Sequence, residues 1–180
     1  RIALVGLRGA GKTTLGRLLA KRLDWPFVEL TREIERDYGA DVAEILALSG
    51  QPGLRRQECR ALNRLVEDRE RAVIATPGGI VAEAASLDLL FARTHTVWLT
   101  ASPEEHMARV AAQGDRRPMA DNPEAMADLR AILAARSPDY ARSDARLDTS
   151  GRPLEDCLDD LERTARRMVR GGLTPAGQEI

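Results

Sequence analysis

Ile2-Ala3-Leu4-Val5-Gly6-Leu7-Arg8-Gly9-Ala10-Gly11-Lys12-Thr13-Thr14-Leu15 opens the chain, and its reading decides the architecture. The apolar run Ile2 to Leu7 predicts a core strand, and Leu15, Leu18, Leu19 and Leu23 recur afterwards at helical spacing. Between strand and helix stands the spacing G-x-x-x-x-G-K-T, the pattern of a phosphate-binding loop. Gly6, Gly9 and Gly11 let backbone N–H groups converge on a phosphate without Cβ interference. Ala10, Gly11, Lys12, Thr13 and Thr14 carry the cradle into the helix, whose N-terminus adds a partial positive charge. Lys12 is the expected bridge to the outer phosphates, exposed on the loop, and the Thr13 hydroxyl the expected Mg²⁺ ligand. A glycine-rich turn that binds nothing is the bland alternative. A strand directly before and a helix directly after weigh against it.

Outward from this loop, short β-branched runs alternate with longer helical patterns, the mark of an α/β fold with a mainly parallel sheet. Pro26 to Leu30, Ala72 to Thr76, Thr96 to Leu99 and Ala145 to Thr149 read as further strands. Asp41 and Glu44 form a capping box for a short helix ending near Gly50, and Leu54 to Asp68 reads as the next helix. Ser102-Pro103-Glu104-Glu105 starts a helix with N-cap, proline and acids in order. Asn122 and Pro123 start another, reaching about Arg136, and Pro153 to Val169 closes the domain. The polar stretch from Gln113 to Pro123 reads as a lid whose Arg116 and Arg117 could close over phosphates. One domain over 1–170 and a frayed tail over 171–180 are expected.

A formal net charge of −1 argues against a dedicated nucleic-acid surface on this chain. Lysine occurs only at Lys12 and Lys21 among many arginines, so a lysine in the glycine loop suggests a need for a compact charge. Cys59 and Cys157 suggest no metal site or disulfide framework, and no run is apolar enough to span a membrane. A cytoplasmic protein is expected. His95 and His106 are expected at edge and surface positions, and Trp25 and Trp98 in packing.

At this point the sequence resembles the shikimate kinase family, from Arg1 to about Val169. The family's Phe-x-Asp-x-Asp-x-x-Ile-Glu is partly matched by Phe27-Val28-Glu29-Leu30-Thr31-Arg32-Glu33-Ile34-Glu35. Its Gly-Glu-x-x-Phe-Arg-x-x-Glu is echoed from Gly50 to Glu58, placing Arg55 where a substrate-carboxylate arginine belongs. The triple-glycine turn is reached as Pro77-Gly78-Gly79, the lid Arg-Pro-Leu as Arg117-Pro118-Met119, and a second substrate arginine as Arg136, followed by Tyr140. The resemblance implies a three-layer sandwich around a five-stranded parallel sheet in the order 2-3-1-4-5. It also implies ATP or a related adenine nucleotide with Mg²⁺. Lys12 and Arg117 would be catalytic if the chain is active, Arg117 would also touch nucleotide, and Thr13 and Glu29 would hold the metal. Thr31, Arg55, Gly78, Gly79 and Arg136 would bind substrate or effector.

Three departures fall on the chemistry. The family's second acid, the candidate base, is Thr31 here, and its loss removes a contribution of about 10²- to 10⁴-fold. The first acid is Glu29, one methylene longer. The first turn glycine is Pro77, which fixes φ and deletes an N–H donor. The stretches Val28 to Glu35, Ala75 to Val81 and Gly114 to Ala120 are most similar to a narrower group, the benzoyl-coenzyme-A-responsive transcriptional regulators. These join an N-terminal helix-turn-helix domain to a shikimate-kinase-like sensor. The absence of an initiator Met and the start inside a strand fit a sensor separated from such a half, or a processed N-terminus. DNA contact is then expected from the missing domain, and the ligand is an aromatic acyl-CoA. The alternative is an active kinase transferring the ATP γ-phosphate to the shikimate 3-hydroxyl.

Overall fold

The computed structural model describes residues 1–112 and 123–171. Five strands, β1 (Ile2–Val5), β2 (Phe27–Glu29), β3 (Val73–Ala75), β4 (His95–Thr100) and β5 (Ala145–Asp148), form one sheet. Its order is β2-β3-β1-β4-β5, and every neighbouring pair runs parallel. The helices are α1 (Lys12–Leu23), α2 (Leu30–Tyr38), α3 (Val42–Asp68), α4 (Ala84–Arg93), α5 (Pro103–Ala112), α6 (Pro123–Tyr140) and α7 (Leu154–Arg170). A single 3₁₀ turn at Ile80–Ala82 precedes α4.

Alternation along β1 divides the core into two. Ile2 and Leu4 face Leu15 and Leu19 of α1 and Leu158 and Leu161 of α7. Ala3 and Val5 face the other layer, with Ile34 of α2, Leu62 and Val66 of α3, Leu90 of α4 and Tyr140 of α6. Because β1 is central and buried on both faces, its sequence is a continuous apolar run. The strand order changes direction beside β1, so the crevice at its C-terminal end is where ligands of such sheets sit. The glycine loop occupies that end.

The elements expected from sequence are present, with shifted ends. β1 stops at Val5 rather than Leu7, because the loop begins there. Two helices, α2 and α4, are additional to that reading. α2 follows β2 without a loop, and its core face rests on only Leu30 and Ile34, too short a stripe to read. The two helices expected over 41–68 run on as α3 with a break at Gly50 (φ 63°, ψ −176°), followed by Pro52. Asp41 caps α3 by accepting the Glu44 N–H at 2.8 Å, and Ser102 accepts the Glu105 N–H at 3.2 Å. α6 continues past Arg136 to Tyr140, and α7 starts at Leu154 behind Pro153. The expected lid, with Arg116, Arg117 and Pro118-Met119, lies outside the described residues apart from Pro123, as does 172–180 of the expected tail.

Candidate functional site

Gly6, Gly9 and Gly11 all hold positive φ, at 136°, 82° and 92°. At Gly9 the need is doubled, because a Cβ there would lie 2.8 Å from the His106 carbonyl oxygen. The loop and the start of α1 border a cleft of about 750 Å³ lined by Gly9, Gly11, Lys12, Thr13 and Thr14, with Glu29 and Thr31 opposite. Ala10 is fully buried, and its N–H closes a turn onto the Leu7 carbonyl at 3.2 Å.

Lys12 corrects one expectation. Only 9% of it is exposed, and its Nζ donates to the carbonyls of Gly6 at 2.7 Å and Leu7 at 2.9 Å. Burial lowers its pKa from 10.5 to about 8, against a smaller opposing pull from Glu29. Between about 8 and 10.5 the folded chain binds fewer protons than the unfolded one at this site, so stability rises with pH across that window. Below it, the fold holds a buried ammonium at a cost on the order of 3 kcal/mol. Lys12→Met should therefore raise the Tm at pH 7, and its lead should shrink as pH rises from 8 to 10. The same variant should weaken ATP binding more than about tenfold, since the point charge on the phosphates is gone. Calorimetry and thermal melts across pH check both effects.

The two residues expected to hold a metal meet. Thr13 Oγ1 donates to Glu29 Oε1 at 2.9 Å, joining the start of α1 to the end of β2. No cluster of three or more His, Cys, Asp or Glu suited to a metal occurs among the described residues. A hydroxyl and one carboxylate suit Mg²⁺, which keeps several waters and takes its other ligands from phosphates.

The Pro77-Gly78-Gly79 turn packs directly behind the loop. A Cβ on Gly78 would stand 3.2 Å from Arg8 N and 3.4 Å from Gly6 O. Arg136 Nη1 donates to Gly78 O at 3.0 Å, and Tyr140 OH donates to the same oxygen at 2.5 Å. Burial pushes the Tyr140 hydroxyl up to about 12, so it remains a donor. Trp98 stacks on Tyr140 with ring centroids 5.7 Å apart. A Cβ on Gly79 would fall 2.5 Å from Arg55 Nη2 and 2.9 Å from Nη1, so that guanidinium lies against the turn with its terminal nitrogens nearest. Arg55 is paired with Glu58 and donates to Gln51 Oε1 at 3.2 Å. Glu58 is 2% exposed, and burial raises its pKa while Arg55 and Arg136 pull the other way. Arg55, Gly78, Gly79 and Arg136 are thus brought together. Arg136, however, supports the turn and is not among the residues lining the small cavity beside it.

That cavity, about 180 Å³, is lined by Thr31, Ile34, Val42, Leu54, Arg55, Glu58, Pro77 and Gly79. Thr31, Val42 and Pro77 line both it and the larger cleft, so two of the three departures stand at the junction.

α5 contributes residues that sequence reasoning missed. His106, expected at the surface, is 1% exposed, and its Nδ1–H donates to Arg8 O at 2.9 Å. Arg109 donates to Thr149 Oγ1 at 2.9 Å and reaches Gly9 O at 3.5 Å. Their i, i+3 spacing was visible, but nothing in it distinguishes a face turned to a loop from one turned to solvent. No helix of the described residues is long and apolar enough to cross a membrane.

Comparison with known proteins agrees with this geometry. The sequence model described as shikimate kinase matches residues 8–166. The chain is 41% identical over 173 residues to the shikimate kinase of Symbiobacterium thermophilum, covering 94% of this chain and 99% of that one. It is 40% identical over 151 residues to that of Moorella thermoacetica, covering 84% and 86%. The solved shikimate kinase from Acinetobacter baumannii in complex with shikimate superposes with a TM-score of 0.80 at 31% identity, covering 96% of this chain and 93% of that one. The enzyme from Aquifex aeolicus gives 0.81 at 26% identity, covering 96% and 99%. Matched through loop, turn and sheet along nearly its whole length, the chain belongs to the shikimate kinase family.

Proposed function

We propose that this domain binds the phosphates of an adenine-bearing ligand on its glycine loop and an aromatic acyl group in the adjoining small cavity. It would thus be the effector-sensing domain of a regulator of aromatic metabolism, with an aromatic acyl-CoA such as benzoyl-CoA as effector. One observation carries the reading: the character of the 180 Å³ cavity. Ile34, Val42, Leu54 and Pro77 give it apolar walls, and its one ionic pair, Arg55 with Glu58, is already satisfied internally. An apolar cavity of about 150 Å³ suffices for benzene. A polyhydroxylated ring would instead need several polar partners, and Thr31 and Pro77 offer one hydroxyl and no amide donor. Thr31, Val42 and Pro77 border both spaces, so an acyl chain could pass from ring to phosphates without leaving the cleft.

The comparisons favour a second reading. The relatives are named shikimate kinases, and the solved relative from Acinetobacter baumannii is described as holding shikimate. On that reading the chain transfers the ATP γ-phosphate to shikimate. Lys12 and Mg²⁺ on Thr13 and Glu29 would neutralise the phosphates, and Arg55 and Arg136 would meet the substrate carboxylate. The expected closing role of Arg117 belongs to this reading too. Titrating the purified domain with benzoyl-CoA, ATP and shikimate in parallel separates the two. Saturable benzoyl-CoA binding without shikimate turnover supports the sensor; turnover with no acyl-CoA binding supports the kinase.

A further inference from the structure

A glycine loop does not choose its own shape. Gly9, at φ 82°, sits where peptide planes on either side turn over at little cost, so another group has to select the orientation in which N–H groups face the phosphate. We infer that His106 makes that selection, as a positioning residue for the phosphate loop. A trans peptide points its C=O and N–H in opposite directions. Anchoring Arg8 O on His106 Nδ1 at 2.9 Å therefore turns the Gly9 N–H away from α5, to the side where Gly9 lines the cleft.

The rest of α5 fits the same task. His106 is 1% exposed and its backbone carbonyl lies against Gly9, where a Cβ would come within 2.8 Å. Val110, one turn on, presses on Gly9 from the same side, at 3.1 Å from that Cβ position. A ring nitrogen that faces a carbonyl carries the proton, and burial, helped by the cations of Lys12 and Arg109, lowers the imidazole pKa against the opposing pulls of the Arg8 carbonyl bond and Glu105. The ring thus holds its donor while adding no charge beside Lys12. Without it, the Arg8 carbonyl loses this anchor against turning inward, where it would present a negative dipole to a phosphate. The inference rests only on the loop's binding a phosphate, so it stands under either reading above.

The test replaces His106 by Asn, Gln and Leu and measures calorimetric affinity for Mg·ADP and for pyrophosphate, with melts alongside. In Asn the amide nitrogen is bonded to Cγ, as Nδ1 is in His, and can reach Arg8 O; in Gln it lies one methylene further. His106→Leu and His106→Gln should lose roughly tenfold in affinity for both ligands, with His106→Asn within about threefold of the parent. A merely structural role would lower the Tm of all three and leave the affinities level. Pyrophosphate affinity of His106→Leu within about twofold of the parent overturns the proposal, as does equal loss in the Asn and Gln variants. If His106→Leu does not fold, the Asn and Gln pair decides alone.

Discussion

Given ATP, Mg²⁺ and shikimate, this domain should phosphorylate shikimate about 10²- to 10⁴-fold more slowly than a family member with a carboxylate at the position of Thr31. The expectation follows from what stands at the junction of the two cavities. Thr31 lines both, and its hydroxyl does not take up a proton near neutral pH. Pro77 lines both as well and has no N–H to offer. Thr31→Asp alone should leave turnover near background, because the amide donor is still missing. Adding Pro77→Gly to it should raise the rate beyond either single change, as residues sharing one substrate couple. Nucleotide binding is the internal control: its affinity should be unchanged throughout the series, since Lys12, Thr13 and Glu29 are untouched. A coupled assay reading about 1 s⁻¹ or more for the parent chain, within the ordinary enzyme range, would put the kinase reading first.

How legible the site was depended on whether a residue's role is local. The phosphate loop was readable because its function needs glycine at fixed offsets between a strand and a helix, and all of that is written within one stretch. The sheet order became readable through resemblance, since no periodicity states which strand lies beside which. Arg55 and Gly79, far apart in sequence, were each placed by motif, and the structure adds that one packs against the other. Lys12 was misjudged because its burial depends on whether its loop's carbonyls turn toward it, which composition does not encode. His106 was misjudged for a related reason. A histidine in the middle of a helix carries no mark of what the helix packs on, and here it packs on Arg8 and Gly9, almost a hundred residues earlier. α2 escaped because it starts where β2 ends, with Glu29 serving as last strand residue and as N-cap.

Benzoyl-CoA should bind this domain about thirtyfold more tightly than acetyl-CoA, the second large effect expected. The two share every atom that can reach the phosphate loop and differ in the ring. Burying an aromatic ring against Ile34, Val42, Leu54 and Pro77 is worth roughly 2 kcal/mol, and each 1.4 kcal/mol is about tenfold. Because a ligand that binds only the folded state stabilises it by mass action, benzoyl-CoA at about 100 times its Kd should add close to 3 kcal/mol. For a domain of this size that is a rise in Tm of several degrees, about 2–4 °C per kcal/mol. Arg136→Ala should weaken binding more than Arg163→Ala. The first removes the guanidinium that holds Gly78 O beside the cavity, whereas Arg163 pairs with Asp160 on the surface of α7. Trp98 offers an independent readout, since its stacking partner Tyr140 holds the same Gly78 oxygen. Its fluorescence should change with benzoyl-CoA and not with ADP, which stays on the loop. Competition completes the argument: if the adenosine phosphates of the acyl-CoA occupy the glycine loop, ADP should displace benzoyl-CoA fully, and Lys12→Met should weaken both. Equal affinity for benzoyl-CoA and acetyl-CoA would leave the small cavity without the role assigned to it, and saturation by shikimate with no response to either acyl-CoA would return the cleft to the family's sugar-like substrate.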